Sequence, residues 1–207
     1  MKWKFWENWF KPSNNENANI DELVSKSDET ECVSAAAKIP TIYITENLLE
    51  RTRQLLASFA DKTRSEGVVY WFGFECDESA IVSTLVVPDA DTRWGCIRTT
   101  PQVNAQALSV IIGTPLILLG QAHSHPSSGV RHSETDDKET FASFDGSISV
   151  VVPHFGQEGI NLETCGIHRH LHGEFRYIET SEIADHISVL PGEADFRAKS
   201  KVKRLET

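Results

Sequence analysis

Positive charge is scarce in this chain: Lys and Arg number 20 against 30 Asp and Glu, giving a formal net charge of −10. A protein that grips phosphate backbones draws its affinity from clustered Lys and Arg, so nucleic acid is not an expected partner. Only the stretch from Arg197 to Arg204 is basic, and a solvated tail is the ordinary meaning of such a run. Paired cysteines are lacking as well. Cys32, Cys76, Cys96 and Cys165 stand singly with no C-x-x-C among them, which excludes a thioredoxin-like site or a zinc-finger framework and fits a reducing compartment. No apolar run reaches the roughly 20 residues needed to cross a bilayer. The N-terminus lacks the apolar core and small-residue cleavage site of a signal peptide, so the expected location is the cytoplasm.

What is present is an ordinary globular composition, 40% hydrophobic and 24% charged over 207 residues, enough for one well-buried domain with tails. Residues 1–38 read as a separate segment. Trp3, Phe5, Trp6, Trp9 and Phe10 crowd the first ten positions, a pattern that suits docking on the parent domain or a partner more than lying on a membrane. A polar linker follows. Residues 39–180 carry the domain, and residues 181–207 form a tail. Within the domain the pattern predicts a strand over Thr41–Ile44, a helix with apolar positions from Leu48 to Phe59, and a hairpin from Val68–Phe74 and Ala80–Val87. A polar loop from Pro88 to Pro101, a helix over Val103–Ile112 and a buried strand from Pro115 to Gly120 come next. A helix over Ser133–Phe144, a strand over Ile148–Val152 and a closing strand pair complete the reading. Strands and helices mix without strict alternation, which predicts an α+β fold with a mixed β-sheet flanked by helices.

The chemistry concentrates between Gly120 and Asp136. His123 and His125 stand two apart at the end of a predicted strand, so both imidazoles point to one face. Pro126 and the Ser127-Ser128-Gly129 run turn the chain. Asp136 then falls in the first turn of the next helix, where the dipole favours a carboxylate. Two histidines and one carboxylate leave a tetrahedral ion one open position, the pattern of a catalytic rather than a structural zinc site. Ser133 reads as the helix N-cap, with Asp136 in capping-box register.

The complete pattern, H-x-H-P followed by S-x-x-D, resembles the signature of the JAMM (JAB/MPN) zinc metalloproteases, and the stretch Ile148 to Gly156 resembles their compact bacterial branch. The family writes an earlier strand as E-x-x-G-L-L-L-G. Here Glu66 and Gly73 match in register, while Val69 stands at the internal glycine. The resemblance spans roughly Ile39 to Glu179 and implies a cytidine-deaminase-like JAB/MPN architecture.

The resemblance implies a hydrolase in which zinc, held by His123, His125 and Asp136, lowers the pKa of a water to about 7. Glu66 would act as general base and return the proton to the departing amine. Ser133 would help hold the oxyanion. It further implies an isopeptidase cleaving after the C-terminus of a ubiquitin-like modifier or trimming its precursor, similar to deubiquitinase-like peptidases of antiphage systems with E1-like and E2-like enzymes. The loop from Asp89 to Gln102 is placed to form a flap over the modifier's tail, with Trp94 and Arg98 as substrate contacts; Trp94 could equally plug the core. Rival readings are a peptidase acting on a sulfur-carrier fusion or small peptide, a metal-free MPN scaffold, and a DNA-repair-associated domain resembling the RadC group. His132, inside the metal loop, reads as exposed in preference to backing the metal ligands, and His168, His170 and His172 read as the rim of a hairpin rather than a second metal site.

Overall fold

The computed structural model describes residues 39–192. The aromatic N-terminal segment, Cys32 and the basic run lie outside those residues. The chain divides between Ala37 and Lys38, and all that follows concerns the second unit.

Ten strands and four α-helices make up the described part: β1 Thr41–Thr45, α1 Glu46–Thr63, β2 Val68–Cys76, β3 Ser79–Val86, β4 Asp91–Arg93, β5 Cys96–Arg98, α2 Pro101–Ser109, β6 Ile117–Ser124, α3 Glu134–Glu139, β7 Ile148–Val152, β8 Gly166–Leu171, β9 Glu174–Tyr177, α4 Ile183–His186 and β10 Ile187–Leu190. Eight strands form one mixed sheet in the order β10-β1-β3-β2-β6-β7-β8-β9. β10, β1 and β3 run parallel, as do β6 and β7, and the remaining neighbours are antiparallel. The fold is therefore α+β, a mixed sheet with helices on its two faces.

Alternation along the strands divides the molecule. On one face Val69, Trp71, Ala122, Ile148, Val150 and Ile167 pack with Leu49 and Leu56 of α1 into an apolar core. The threonine in the α1 stripe has a reason to be there: Thr52 accepts a hydrogen bond from the buried Trp71 indole at 3.2 Å and donates to the Leu48 carbonyl. On the other face Val68, Tyr70 and Phe72 pack with Ala107, Leu108 and Ile111 around α2. α1 starts at Thr45, whose hydroxyl caps the Leu48 amide, and stops at Arg64 in a left-handed conformation. Gly73 sits where β2 shifts register against β3, and a Cβ there would collide with the Ile81 carbonyl.

Four expectations need correction. The Pro88–Pro101 loop contains a small hairpin, β4–β5, too short to show periodicity. The helix after it starts earlier, at Pro101, and ends at Ser109. The helix expected over Ser133–Phe144 stops at Glu139. There Gln121, buried on β6, lies 3.5 Å from the Thr140 hydroxyl and accepts from the Ala142 amide, while Phe141 packs against Tyr70. Burial of that apolar pair outcompetes another helical turn. The folded part also extends past residue 180. β10 pairs in parallel with β1, and the fully buried Arg169 donates to the carbonyls of His186 and Pro40, fastening α4 to the start of β1.

Candidate metal centre

Pairing of β2 with β6 builds the floor of the site. Val68 stands opposite His123, and the ladder continues beyond β2 through a reciprocal pair, Ser124 N–H to the Gly67 carbonyl and Gly67 N–H to the Ser124 hydroxyl, both at 3.0 Å. By that register Glu66 comes opposite His125, and Glu66, Val68, His123 and His125 share one face. The strand itself ends at Ser124, so His125 lies just past it. A turn across the parallel β6–β7 pair fixes that residue. His125 N–H donates to the Val152 carbonyl, Phe155 N–H donates to the His125 carbonyl at 2.8 Å, and His154 N–H donates to the Ser127 carbonyl. This turn is strained. His154 and Phe155 hold φ of 53° and 56° ahead of Gly156 at 72°, and left-handed backbone at non-glycine residues costs about 1–2 kcal/mol each.

Asp136 arrives from above on α3. Ser133 and Asp136 close a reciprocal capping box: the Ser133 hydroxyl accepts from the Asp136 amide at 3.2 Å, and the Asp136 carboxylate accepts from the Ser133 amide at 2.7 Å. The Ser133 O–H also bonds the Asp136 carboxylate, so backbone and side chain of Ser133 both hold it.

Nε2 of His123 and Nε2 of His125 are 3.2 Å apart, and they lie 3.6 and 3.4 Å from the two Asp136 oxygens. Tetrahedral zinc with bonds of roughly 2.0–2.1 Å requires ligand atoms about 3.3–3.4 Å from one another. The three side chains therefore fit such an ion. They form the one group of three such donors found among the described residues. Nδ1 of His125 is 2.8 Å from the Gly129 carbonyl. Donation there leaves Nε2 with its lone pair free for a metal.

The protonation states of His123, Asp136 and Glu66 suit that chemistry. Burial pushes His123 down to about 3, so it is neutral at physiological pH. For His125 burial works downward, but hydrogen bonding and charge from Asp136 outweigh it and raise the pKa. For Asp136 burial works upward, while His125, the charge of His123 and the bonds from Ser133 hold it well below the usual carboxylate range. Glu66 is only 4% exposed. Burial drives its pKa up to about 7, with His125 opposing and Asp136 adding to the rise. That is the range in which a general base works best at neutral pH.

Of the expected substrate contacts, neither Trp94 nor Arg98 is brought to the donor atoms. Both are exposed on the β4–β5 hairpin, Trp94 at its tip with 74% exposure, which rules out a core plug. The hairpin is nonetheless tied to the site, because Glu66 N–H donates to the Arg93 carbonyl and the Ser65 hydroxyl lies 3.0 Å from that of Thr92. Ile97 and Thr99 close one side of a cavity of about 20 Å³ that touches His123 and Asp136.

The histidines outside the motif are placed differently from expectation. The His132 side chain is buried. Its ring stacks on His168 with centroids 3.8 Å apart, and the two pKa values are pushed down, chiefly by burial. His168 and His170 are buried on β8, and only His172 occupies the hairpin turn, at φ 53°. The alternation of His168 and His170 was the available signal. A lone histidine in a polar loop gives none.

No family model matches the chain. A protein of Sinorhizobium fredii described as a probable metalloprotease is 28% identical over 141 residues, 66% of this chain and 86% of that one. A protein of Desulfitobacterium hafniense, solved in solution, is alike in fold, with a TM-score of 0.51 at 15% identity over 73% of this chain and 94% of the other. A JAB1/MPN domain protein of Archaeoglobus fulgidus matches at 17% identity over 68% and 94% of the two chains with a TM-score of 0.36, too loose a superposition to carry weight. No helix among the described residues is long and apolar enough to cross a membrane.

Proposed function

We propose that this chain is a zinc-dependent peptidase of the JAMM type that cleaves after the C-terminus of a ubiquitin-like modifier. The observation that carries the reading is the group of His123, His125 and Asp136, whose donor atoms, one from each, lie within 4.8 Å of one another, with the buried Glu66 on the same face. The motif's resemblance to that family and the likeness to a protein described as a metalloprotease support it. Two imidazoles and a carboxylate suit zinc among the common divalent ions.

His123, His125 and Asp136 would hold the zinc, which would supply a Lewis acid to polarise the scissile carbonyl and acidify water. Glu66 would accept the proton of the attacking water; its raised pKa would let it hold the proton and then hand it to the departing amine. The Ser133 O–H, which in the resting site bonds the Asp136 carboxylate while its oxygen caps α3, would turn toward the developing oxyanion. An extended modifier tail lies along the β4–β5 hairpin by strand addition, and Trp94 and Arg98 flank it.

The test is cleavage of a lysine-linked ubiquitin-like conjugate by zinc-loaded protein, with Glu66→Gln beside it. Removal of the base should cost about 10²–10⁴-fold in rate and leave zinc bound. Equal activity in both proteins would take the role of base away from Glu66. A zinc-replete protein that cuts no conjugate but hydrolyses short peptides would replace the modifier as substrate.

A further inference from the structure

His132 is committed on every side. Its Nδ1 is 2.8 Å from Asp137 Oδ1 on α3, and its Nε2 is 2.9 Å from the Ser149 hydroxyl on β7. Its backbone N–H donates to His168 Nε2 on β8 at 3.1 Å, its ring stacks on that same imidazole, and Phe175 of β9 packs edge-on at 4.9 Å. One side chain thus joins the start of α3 to three neighbouring strands. The order Asp137–His132–Ser149 is also the hydrogen-bond order of a serine hydrolase triad. Ser149 is fully buried within β7, so its hydroxyl has no route to a substrate, and the chain of bonds serves another purpose.

That purpose follows from position. His132 immediately precedes Ser133, the residue that caps α3 and bonds the Asp136 carboxylate. α3 has only six residues and buries none of them, so it has no apolar face to fix its approach to the sheet. The loop before it packs closely, since a Cβ at Gly166 would collide with the Val130 carbonyl, and just past its end Gln121 reaches Thr140 and Ala142. Between those two holds, the bond from His132 to Asp137, anchored through Ser149, ties α3 itself to β7. The His132 ring also lies against His123, with centroids 5.5 Å apart.

We propose that His132 is a positioning residue for the metal centre: the Asp137–His132–Ser149 bridge clamps α3 to β7 so that the Asp136 carboxylate meets His123 and His125. The proposal rests on the metal-binding reading of those three residues. Groups that orient metal ligands from behind are typically worth about 10–100-fold in metal affinity.

Cobalt(II) titration of the full chain, followed by visible absorption, tests it, with thermal unfolding of the metal-free proteins in parallel. His132→Ala should bind cobalt about 10–100-fold more weakly and show an altered d–d spectrum. Asp137→Ala, a change at a half-exposed side chain that leaves the core intact, should weaken binding in the same direction. Asp137→Asn keeps an acceptor for Nδ1–H and should recover much of the loss. Variants that unfold at lower temperature yet bind cobalt with wild-type affinity and spectrum would overturn the proposal, leaving His132 a stability residue only. A wild-type chain that takes up no cobalt would defeat the metal reading itself, and this inference with it.

Discussion

The two faces of the sheet are built from the same strands yet carry different tasks. Under α1, Val69, Trp71, Ala122, Ile148, Val150 and Ile167 form a surface with almost no polar atom. One residue along each strand, the opposite face presents Gln121, His123, Ser149, His168 and His170, all buried. Burial of a polar group is costly unless it is bonded. Here Gln121 bonds to Thr140 and Ala142, Ser149 to the His132 ring and His168 to the His132 backbone, while Nδ1 of His123 and of His168 has no hydrogen-bond partner among the described residues. The comparison assigns stability chiefly to the α1 face and chemistry to the other, which is stitched together by hydrogen bonds and by the helix that brings Asp136.

Trp71→Ala should have the largest effect on that division, at about 3–5 kcal/mol of unfolding free energy, read by denaturant titration of the metal-free protein. Zinc affinity per folded molecule should change by less than about threefold, since Trp71 faces away from the ligands. A large loss of affinity would show that the two faces are not separable.

Glu66 should give a smaller and pH-dependent effect of opposite sign. Its folded pKa is raised from 4.5 to about 7, so its contribution to stability is present below the lower value and is lost as pH rises through the higher one. In metal-free protein, the stability advantage of Glu66→Gln over wild type should therefore grow between pH of about 4 and about 8. A difference that stays flat with pH would mean that burial does not disfavour the ionised carboxylate.

The smallest effect sharpens the comparison at the turn bracing His125. Phe155→Gly relieves a left-handed φ of 56° and keeps the amide that donates to the His125 carbonyl. It should stabilise the fold by about 1 kcal/mol and leave zinc affinity unchanged. Destabilisation would show that the Phe155 side chain, not only its backbone, supports the site.

Much of this could be read from the residues, for reasons that differ by element. β2, β6 and β7 were legible because each is a dense apolar run, and the ligand set was legible because strand alternation and helix capping are local rules. β10 was not, since its pairing with β1 joins Ile42 to Ile187 across most of the domain and nothing local announces it. The length of α3 was hidden because Gln121, on a different element, decides where it ends. His132 was misread for the same reason: its partners Ser149 and His168 lie 17 and 36 residues away.

Zinc stoichiometry, determined by elemental mass spectrometry after exhaustive dialysis and repeated with Asp136→Ala, tests the central claim most directly. One equivalent per wild-type chain, falling sharply in the variant, is the result expected if His123, His125 and Asp136 hold the ion. A wild-type chain that retains no zinc, or a variant that keeps a full equivalent, would contradict it.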